Sequence, residues 1–270
     1  MPVVRGLGNG RGGHSLNRLI PNALTLLALC AGITAMRYAL DEVWERAVIA
    51  IMVAAVLDGL DGRIARALKA QSRFGAELDS LSDIVCFGVA PAVVIYLWSL
   101  HAAGGLGWAL ALLFAVCCAL RLARFNIALD DVDRRPAWMH NYFIGVPAPA
   151  AGGLALLPLV LGLQFEESAF ANPAITGLTM IGVSALMVSR LPTFAFKRVK
   201  IPGRYVVFAL LAAGACFAFL ISTPWATLAV GGFAYLASIP YASMVFKRRQ
   251  REQTVDEAED EIDEEDELAE

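Results

Sequence analysis

Histidine is scarce in this chain of 270 residues. His14, His101 and His140 are the only three, and they stand far apart. That argues against a metal site built on imidazole. The five cysteines, Cys30, Cys86, Cys117, Cys118 and Cys216, all fall inside apolar stretches and show no metal-type spacing. They read as small buried hydrophobes. Charged residues are few as well, at 17% against 58% hydrophobic, with a mean hydropathy of +0.60. That balance excludes an ordinary soluble domain. No aromatic platform accompanies the basic residues, so nucleic acid is not an expected partner. The first apolar stretch has no small-residue cleavage site and more such stretches follow, so it is not read as a cleavable signal peptide.

What the chain does have is apolar blocks of about 17–25 residues, the length that crosses a bilayer. Eight can be counted, at 19–40, 44–62, 78–99, 106–127, 146–163, 174–191, 205–221 and 225–245. The expected fold is therefore all-α, a polytopic membrane bundle of about eight transmembrane helices. Basic residues set its orientation. Of the 22, all but Arg37 and Arg46 fall on one side of an eight-span count. Both termini are then cytoplasmic, in a bacterial-type cytoplasmic (inner) membrane. The membrane domain spans 18–251. Residues 1–17, rich in glycine and arginine, are read as a disordered basic segment. Residues 252–270 are read as a disordered acidic tail of unassigned role. Residues 1–251 carry 22 basic and 13 acidic residues, a formal +9 that suits an anionic lipid surface and anionic substrates.

Against this background one polar stretch stands out, VLDGLDGRIARALKAQSRFGAELDSLSDIV, from Val56 to Val85. Asp58 and Asp61 are three apart and share a helix face at the end of the second block. Asp79 and Asp83 are four apart and share a face at the start of the third. A turn around 67–75 is expected to make the two helices antiparallel neighbours, so that the carboxylate pairs face each other. Single carboxylates at a membrane surface are often only solvated charges. Four at paired helical spacings, in a partly dry site, repel strongly unless a cation intervenes. Oxygen-only ligands point to Mg²⁺ or Mn²⁺, one ion or two. Gly59, Gly62, Ala65 and Gly75 remove bulk beside the carboxylates, so a helix or a flat ligand can approach the backbone. Arg63 and Arg66 add the positive charge that a pyrophosphate needs. Carboxylates inside membranes also serve ion carriers and proton relays, but carriers usually hold them mid-helix. These four lie near the cytoplasmic boundary. A cation-coupled carrier remains the alternative of a different class.

At these residues the sequence resembles the CDP-alcohol phosphatidyltransferase family. Asp58, Gly59, Asp61, Gly62, Ala65, Arg66, Gly75, Asp79 and Asp83 fill the family's signature, D-x2-D-G-x2-A-R-x8-G-x3-D-x3-D. PNALT (Pro21–Thr25) looks like the family's first-helix segment near the nucleotide. LRLARFN (Leu120–Asn126) and FIGVPAPAA (Phe143–Ala151) look like its phosphatidylserine synthase branch. The similarity covers about residues 18–245. It implies transfer of a phosphatidyl group from CDP-diacylglycerol to an alcohol with release of CMP. In that branch the alcohol is L-serine. It further implies that Asp58, Asp61 and Asp79 bind divalent metal, and that Asp83 is both ligand and general base. Gly62, Ala65, Arg66 and Gly75 would lie against the CDP group, with Asn22 and Thr25 touching the nucleotide or its phosphates. A homodimer is implied as well, and Gly32, Gly152 and Gly153 permit close helix contacts.

The acceptor is read from elsewhere. A zwitterionic amino acid needs a cation for its carboxylate. Arg121 and Arg124 are three apart near the end of the fourth block, with Asn126 just beyond. These three are the candidate serine-binding residues. Ordinary positive-inside anchoring is the plainer account of either arginine. A glycerol phosphate or inositol phosphate acceptor would use arginines equally. A choline acceptor would favour an aromatic cage, for which Trp138, Tyr142 and Phe143 are available. The basic loop SRLPTFAFKRVKIP (Ser189–Pro202) reads first as a cytoplasmic anchor, and alternatively as a lid or lipid-headgroup contact.

Overall fold

Each apolar block became helix in the computed structural model, which describes residues 16–130, 142–166, 168–189, 191–194 and 205–269. The helices are α1 (Leu16–Leu40), α2 (Trp44–Ala67), α3 (Arg73–Asp83), α4 (Ala90–Trp98), α5 (Gly104–Asp130), α6 (Ala148–Ala155), α7 (Leu157–Phe165), α8 (Pro173–Val188), α9 (Val206–Ser222) and α10 (Pro224–Ala269). In hydrocarbon every backbone N–H and C=O must be satisfied within the chain, and helices do this segment by segment. Four continuous helical stretches, 19–40, 73–98, 100–128 and 224–246, are long and apolar enough to cross a membrane. The pair α6–α7, bent by 41° at its junction, makes a fifth if it counts as one span. The bend falls at Leu156, where Pro158 follows within the first turn of α7. Trp138, Arg134, Arg135 and most of the 189–202 loop lie outside the described residues. So do residues 1–15 of the basic N-terminal segment.

The core is built from small residues on α1 and α2 and larger ones on the central helices. Ala28, Ala35, Ala47, Ala54 and Ile51 are buried in the first pair, and α1 and α2 pack along their length. Phe87, Ile95 and Phe114 fill the centre. Many large apolar side chains stay exposed, and α9 buries none at all. A lipid-facing surface has that character, since acyl chains solvate leucine as well as a core does.

Two features depart from a plain helix count. A short ribbon pairs β1 (Tyr142–Ile144) with β2 (Pro192–Phe194) in antiparallel register, Phe143 opposite Thr193. It ties the segment before α6 to the segment after α8. Gly145 follows at φ +79°, a conformation in which a Cβ would lie 2.6 Å from the Met187 carbonyl oxygen. Only glycine fits there. The second feature is a π-helical segment at Ile84–Val89, directly after Asp83 and continuous with α3 and α4. It inserts a wide turn between the carboxylates of α3 and the apolar half of that span.

The turn after α2 also differs from expectation. The chain reverses at 68–72, and α3 begins with Ser72 as N-cap, its hydroxyl accepting from the Gly75 N–H at 3.0 Å. Yet α3 packs chiefly on α1 rather than on α2. α1 supplies the shared wall, and a gap is left between α2 and α3. The spacing of the aspartates gives which faces they occupy. It does not say which neighbour each helix chooses.

Candidate active site

Four helices send polar side chains to one end of the bundle, the start of α1, the end of α2, α3 and the end of α5, and the end of α8 adds a backbone carbonyl. The α2 contribution is deeply buried: Asp61 is only 4% exposed. A desolvated carboxylate needs partners, and Thr25 on α1 provides one, its hydroxyl donating to Asp61 Oδ2 at 2.5 Å. The same hydroxyl lies 3.1 Å from the Pro21 carbonyl, so α1 fixes its position. Ser82 on α3 donates to the Thr25 carbonyl at 3.3 Å, which ties α3 to the same turn of α1. Asn126 on α5 donates to Ser80 at 2.9 Å and holds α5 against α3.

Asp58, Asp61 and Asp79 each bring one carboxylate oxygen within 4.8 Å of those of the other two. Three anions at this separation, one of them buried, repel one another across little water. Their donor set is oxygen only, which fits a hard divalent cation of the Mg²⁺ or Mn²⁺ type. Asp83 is set apart from this trio. It lies against Asp58, close enough for a side-chain hydrogen bond, and its Oδ1 is buried without a partner. Arg121 supplies positive charge within electrostatic reach of it. The four carboxylates thus form a trio and an adjoining fourth, not two equal facing pairs.

Beside the trio is a cavity of 220 Å³. Asn22, Thr25, Gly62, Ala65, Arg66 and Gly75 all line it, together with Asp61 and Asp79. Gly75 shows why small residues stand here. A Cβ at that position would lie 3.0 Å from Asn22 Oδ1 and 3.2 Å from Ser72 Oγ, crowding the wall. Gly62 has more room, its nearest neighbour being the Arg66 guanidinium at 3.7 Å. Gly59 faces open space. Gln71 and Ser72, in the turn between α2 and α3, complete the rim. Sequence reading had not singled them out, although a polar turn between two carboxylate-bearing helices was the signal.

The three residues of the second cluster point in different directions. Arg121 is buried, 7% exposed, its guanidinium over the Phe125 ring at 5.2 Å and facing Asp83. Arg124 instead reaches α8, donating to the Val188 carbonyl at 2.8 Å, where a helix C-terminus leaves carbonyls unsatisfied. Asn126 is engaged with Ser80. Of the aromatic residues considered for a cage, Trp138 lies outside the described residues. Tyr142 and Phe143 are described only as backbone of β1.

Fold and site together define a polytopic membrane protein with a carboxylate-rich cation site beside a small, arginine-edged cavity. Comparison with known proteins narrows the class. The profile described as CDP-alcohol phosphatidyltransferase matches residues 18–190, and a second, CDP-alcohol phosphatidyltransferase 2, matches residues 204–240. A protein of Mycobacterium tuberculosis (strain ATCC 25618 / H37Rv) named CDP-diacylglycerol–serine O-phosphatidyltransferase is 41% identical over 237 residues, 87% of this chain and 82% of its own. Proteins with the same name from Helicobacter pylori (strain ATCC 700392 / 26695) and Methanocaldococcus jannaschii are 36% and 34% identical. They cover 67% and 71% of this chain, and 74% and 78% of their own lengths. The chain belongs to the CDP-alcohol phosphatidyltransferase family, and it is an enzyme of that membrane class.

Proposed function

We propose that this protein is a CDP-diacylglycerol–serine O-phosphatidyltransferase, making phosphatidylserine from CDP-diacylglycerol and L-serine with release of CMP. The observation that carries the reading is the convergence at one end of the bundle. Three close-set carboxylates adjoin a cavity lined by all six residues expected to meet the CDP group. Its relatives over most of the chain bear that enzyme's name, which supports serine as acceptor. The carrier alternative lacks this support, because the family transfers groups between lipid and alcohol.

The serine hydroxyl attacks the phosphorus bonded to diacylglycerol. A P–O bond to serine forms as the P–O bond to CMP breaks, and CMP leaves with the bonding electron pair. Asp83 takes the hydroxyl proton, for which its unpartnered Oδ1 is suited. No covalent enzyme intermediate is needed. A divalent cation, or a pair, would be held by Asp58, Asp61 and Asp79, with Asp83 as a further oxygen ligand, and would neutralise pyrophosphate charge. Arg66 lines the same cavity and offers its guanidinium to phosphate oxygens. Asn22 and the backbone at Gly62, Ala65 and Gly75 shape the wall against the nucleotide. Arg121, Arg124 and Asn126 are assigned to the acceptor side, Arg121 with the most direct approach.

Eight membrane passages with both termini cytoplasmic best satisfy the distribution of basic residues. That puts the site at the cytoplasmic face of a cytoplasmic membrane. Residues 18–251 form the catalytic domain in this reading, with 1–17 and 252–270 as terminal segments, and a homodimer is its assembly. The test is direct. Purified protein is incubated with CDP-diacylglycerol, Mg²⁺ or Mn²⁺ and labelled L-serine, with choline, glycerol phosphate and inositol phosphate in parallel. Labelled phospholipid and equimolar CMP from serine alone are expected. CMP release with another alcohol and none with serine refutes the acceptor.

A further inference from the structure

Among the described residues, four buried side-chain polar atoms have no hydrogen-bond partner: Asp83 Oδ1, Arg121 Nε, Tyr235 Oη and Ser184 Oγ. Buried polar groups are nearly always paired, so a cluster of orphans marks a place where something else binds. Three of these four belong to one neighbourhood. Arg121 lies within electrostatic reach of both Asp83 and Tyr235. Asp83 is the proposed base. Tyr235 comes from α10, in the last hairpin, far along the chain from the aspartates.

Several contacts fix Tyr235 there. α10 packs on β2, and the Tyr235 hydroxyl lies near Thr193, a residue only 1% exposed. Thr193 already spends its own proton on the Gly145 carbonyl, at 3.0 Å. The phenol ring lines an apolar cavity of 420 Å³ between α2, α6, α7, α9 and α10. Its hydroxyl is therefore a polar tip on an apolar wall, within electrostatic reach of the Arg121 guanidinium. Arg121 is thus within electrostatic reach of one orphaned acceptor, Asp83 Oδ1, and of one further donor, the Tyr235 O–H. A hydroxy amino acid carries the complementary set: a carboxylate to receive the donors and a hydroxyl to give its proton to the acceptor.

We infer that Tyr235 is a specificity-determining residue, its hydroxyl joining the buried Arg121 guanidinium to hold the carboxylate of the amino acid acceptor while the hydroxyl meets Asp83. The inference rests on the proposed transferase reading and deepens it. It gives the α9–α10 hairpin a part in recognition, although the signature motif lies entirely in α2 and α3. A carboxylate held by a single neutral donor and one arginine is recognised by charge-assisted bonds, each worth about tenfold or more in binding.

Tyr235→Phe is the informative variant, because the ring that lines the apolar cavity is kept and only the hydroxyl is lost. Initial rates are measured with L-serine and CDP-diacylglycerol varied in turn, for unchanged protein, Tyr235→Phe, Arg121→Lys and the double variant. The expected result is a rise of about tenfold or more in KM for serine in Tyr235→Phe. KM for CDP-diacylglycerol and kcat should stay within about twofold. The double variant should lose less than the product of the two single losses, since both side chains serve one carboxylate. An unchanged KM for serine overturns the assignment, as does a loss shared equally by both substrates. If the unchanged protein transfers nothing to serine but does use another alcohol, the proposed function fails and the assignment falls with it. That outcome is told apart by the first measurement.

Discussion

Asp61 is a carboxylate at 4% exposure held by one threonine hydroxyl. In the proposed cation site Thr25 would orient an oxygen ligand and leave the second oxygen of Asp61 for a cation. Groups that support ligands in this way commonly change metal affinity ten- to a hundredfold when removed. Thr25→Val, which keeps shape and removes the donor, is expected to raise the Mg²⁺ or Mn²⁺ concentration for half-maximal turnover by about that factor. Metal titration of the variant checks this, and saturating metal should restore much of the rate. Asp83 differs in kind, for it abuts the trio without belonging to it. Asp83→Asn keeps the size and loses the base. Turnover is expected to drop about 10²- to 10⁴-fold, with KM for CDP-diacylglycerol little changed. A variant that keeps most of its rate removes Asp83 from the base role.

The helices that carry these residues are held by close approaches of small side chains. Gly32 on α1 faces Cys86 in the π-helical segment, and a Cβ there would lie 2.7 Å from Cys86 Sγ and 3.1 Å from its Cα. Cys86 in turn reaches the Ala28 carbonyl at 3.2 Å, so thiol and glycine form one joint between α1 and the third span. Gly32→Val is expected to cost on the order of 1–3 kcal/mol by overpacking. Thermal unfolding in detergent should show a midpoint several degrees lower. Activity should also fall, because the same joint sets Thr25 against Asp61 and Ser82. Gly152 makes a looser approach, at 3.3 Å to the Phe87 backbone, and Gly153 meets nothing within 4 Å. Only the first two of the three glycines noted in the sequence therefore serve contacts within the chain.

Across the molecule the aspartates and the small cavity gather at one end, and many large apolar side chains face outward. Basic residues of the described turn and helix ends, Arg63, Arg66, Lys69 and Arg73 among them, flank the carboxylates in the chain. The one salt bridge found among the described residues, Arg37–Asp41 at 3.8 Å, is exposed and follows at the other end of α1. The oxygen-only donor set of Asp58, Asp61 and Asp79 suits a divalent cation. Treatment with EDTA is therefore expected to abolish turnover, and excess Mg²⁺ or Mn²⁺ to restore it. Full activity after exhaustive chelation contradicts the metal assignment.

The helices, their apolar lengths and the faces of the aspartates were legible in the sequence because they depend on local spacing. A block of some twenty apolar residues has no other stable form in lipid. Two carboxylates at i, i+3 or i, i+4 share a face whatever surrounds them. The signature also pointed to four of the cavity residues, Gly62, Ala65, Arg66 and Gly75, and the PNALT segment to Asn22 and Thr25. Other features depended on neighbours distant in the chain. α3 chose α1 over α2, the π-turn followed Asp83, and Arg124 turned to α8 while Arg121 turned inward to Asp83. Tyr235 had no local signal at all, being one aromatic residue in an apolar block. Its hydroxyl acquired meaning only when α10 packed on β2 and brought it within electrostatic reach of a buried arginine on a helix more than a hundred residues earlier. Periodicity specifies the face that a side chain occupies, but tertiary packing decides which charge or orphaned proton it meets there.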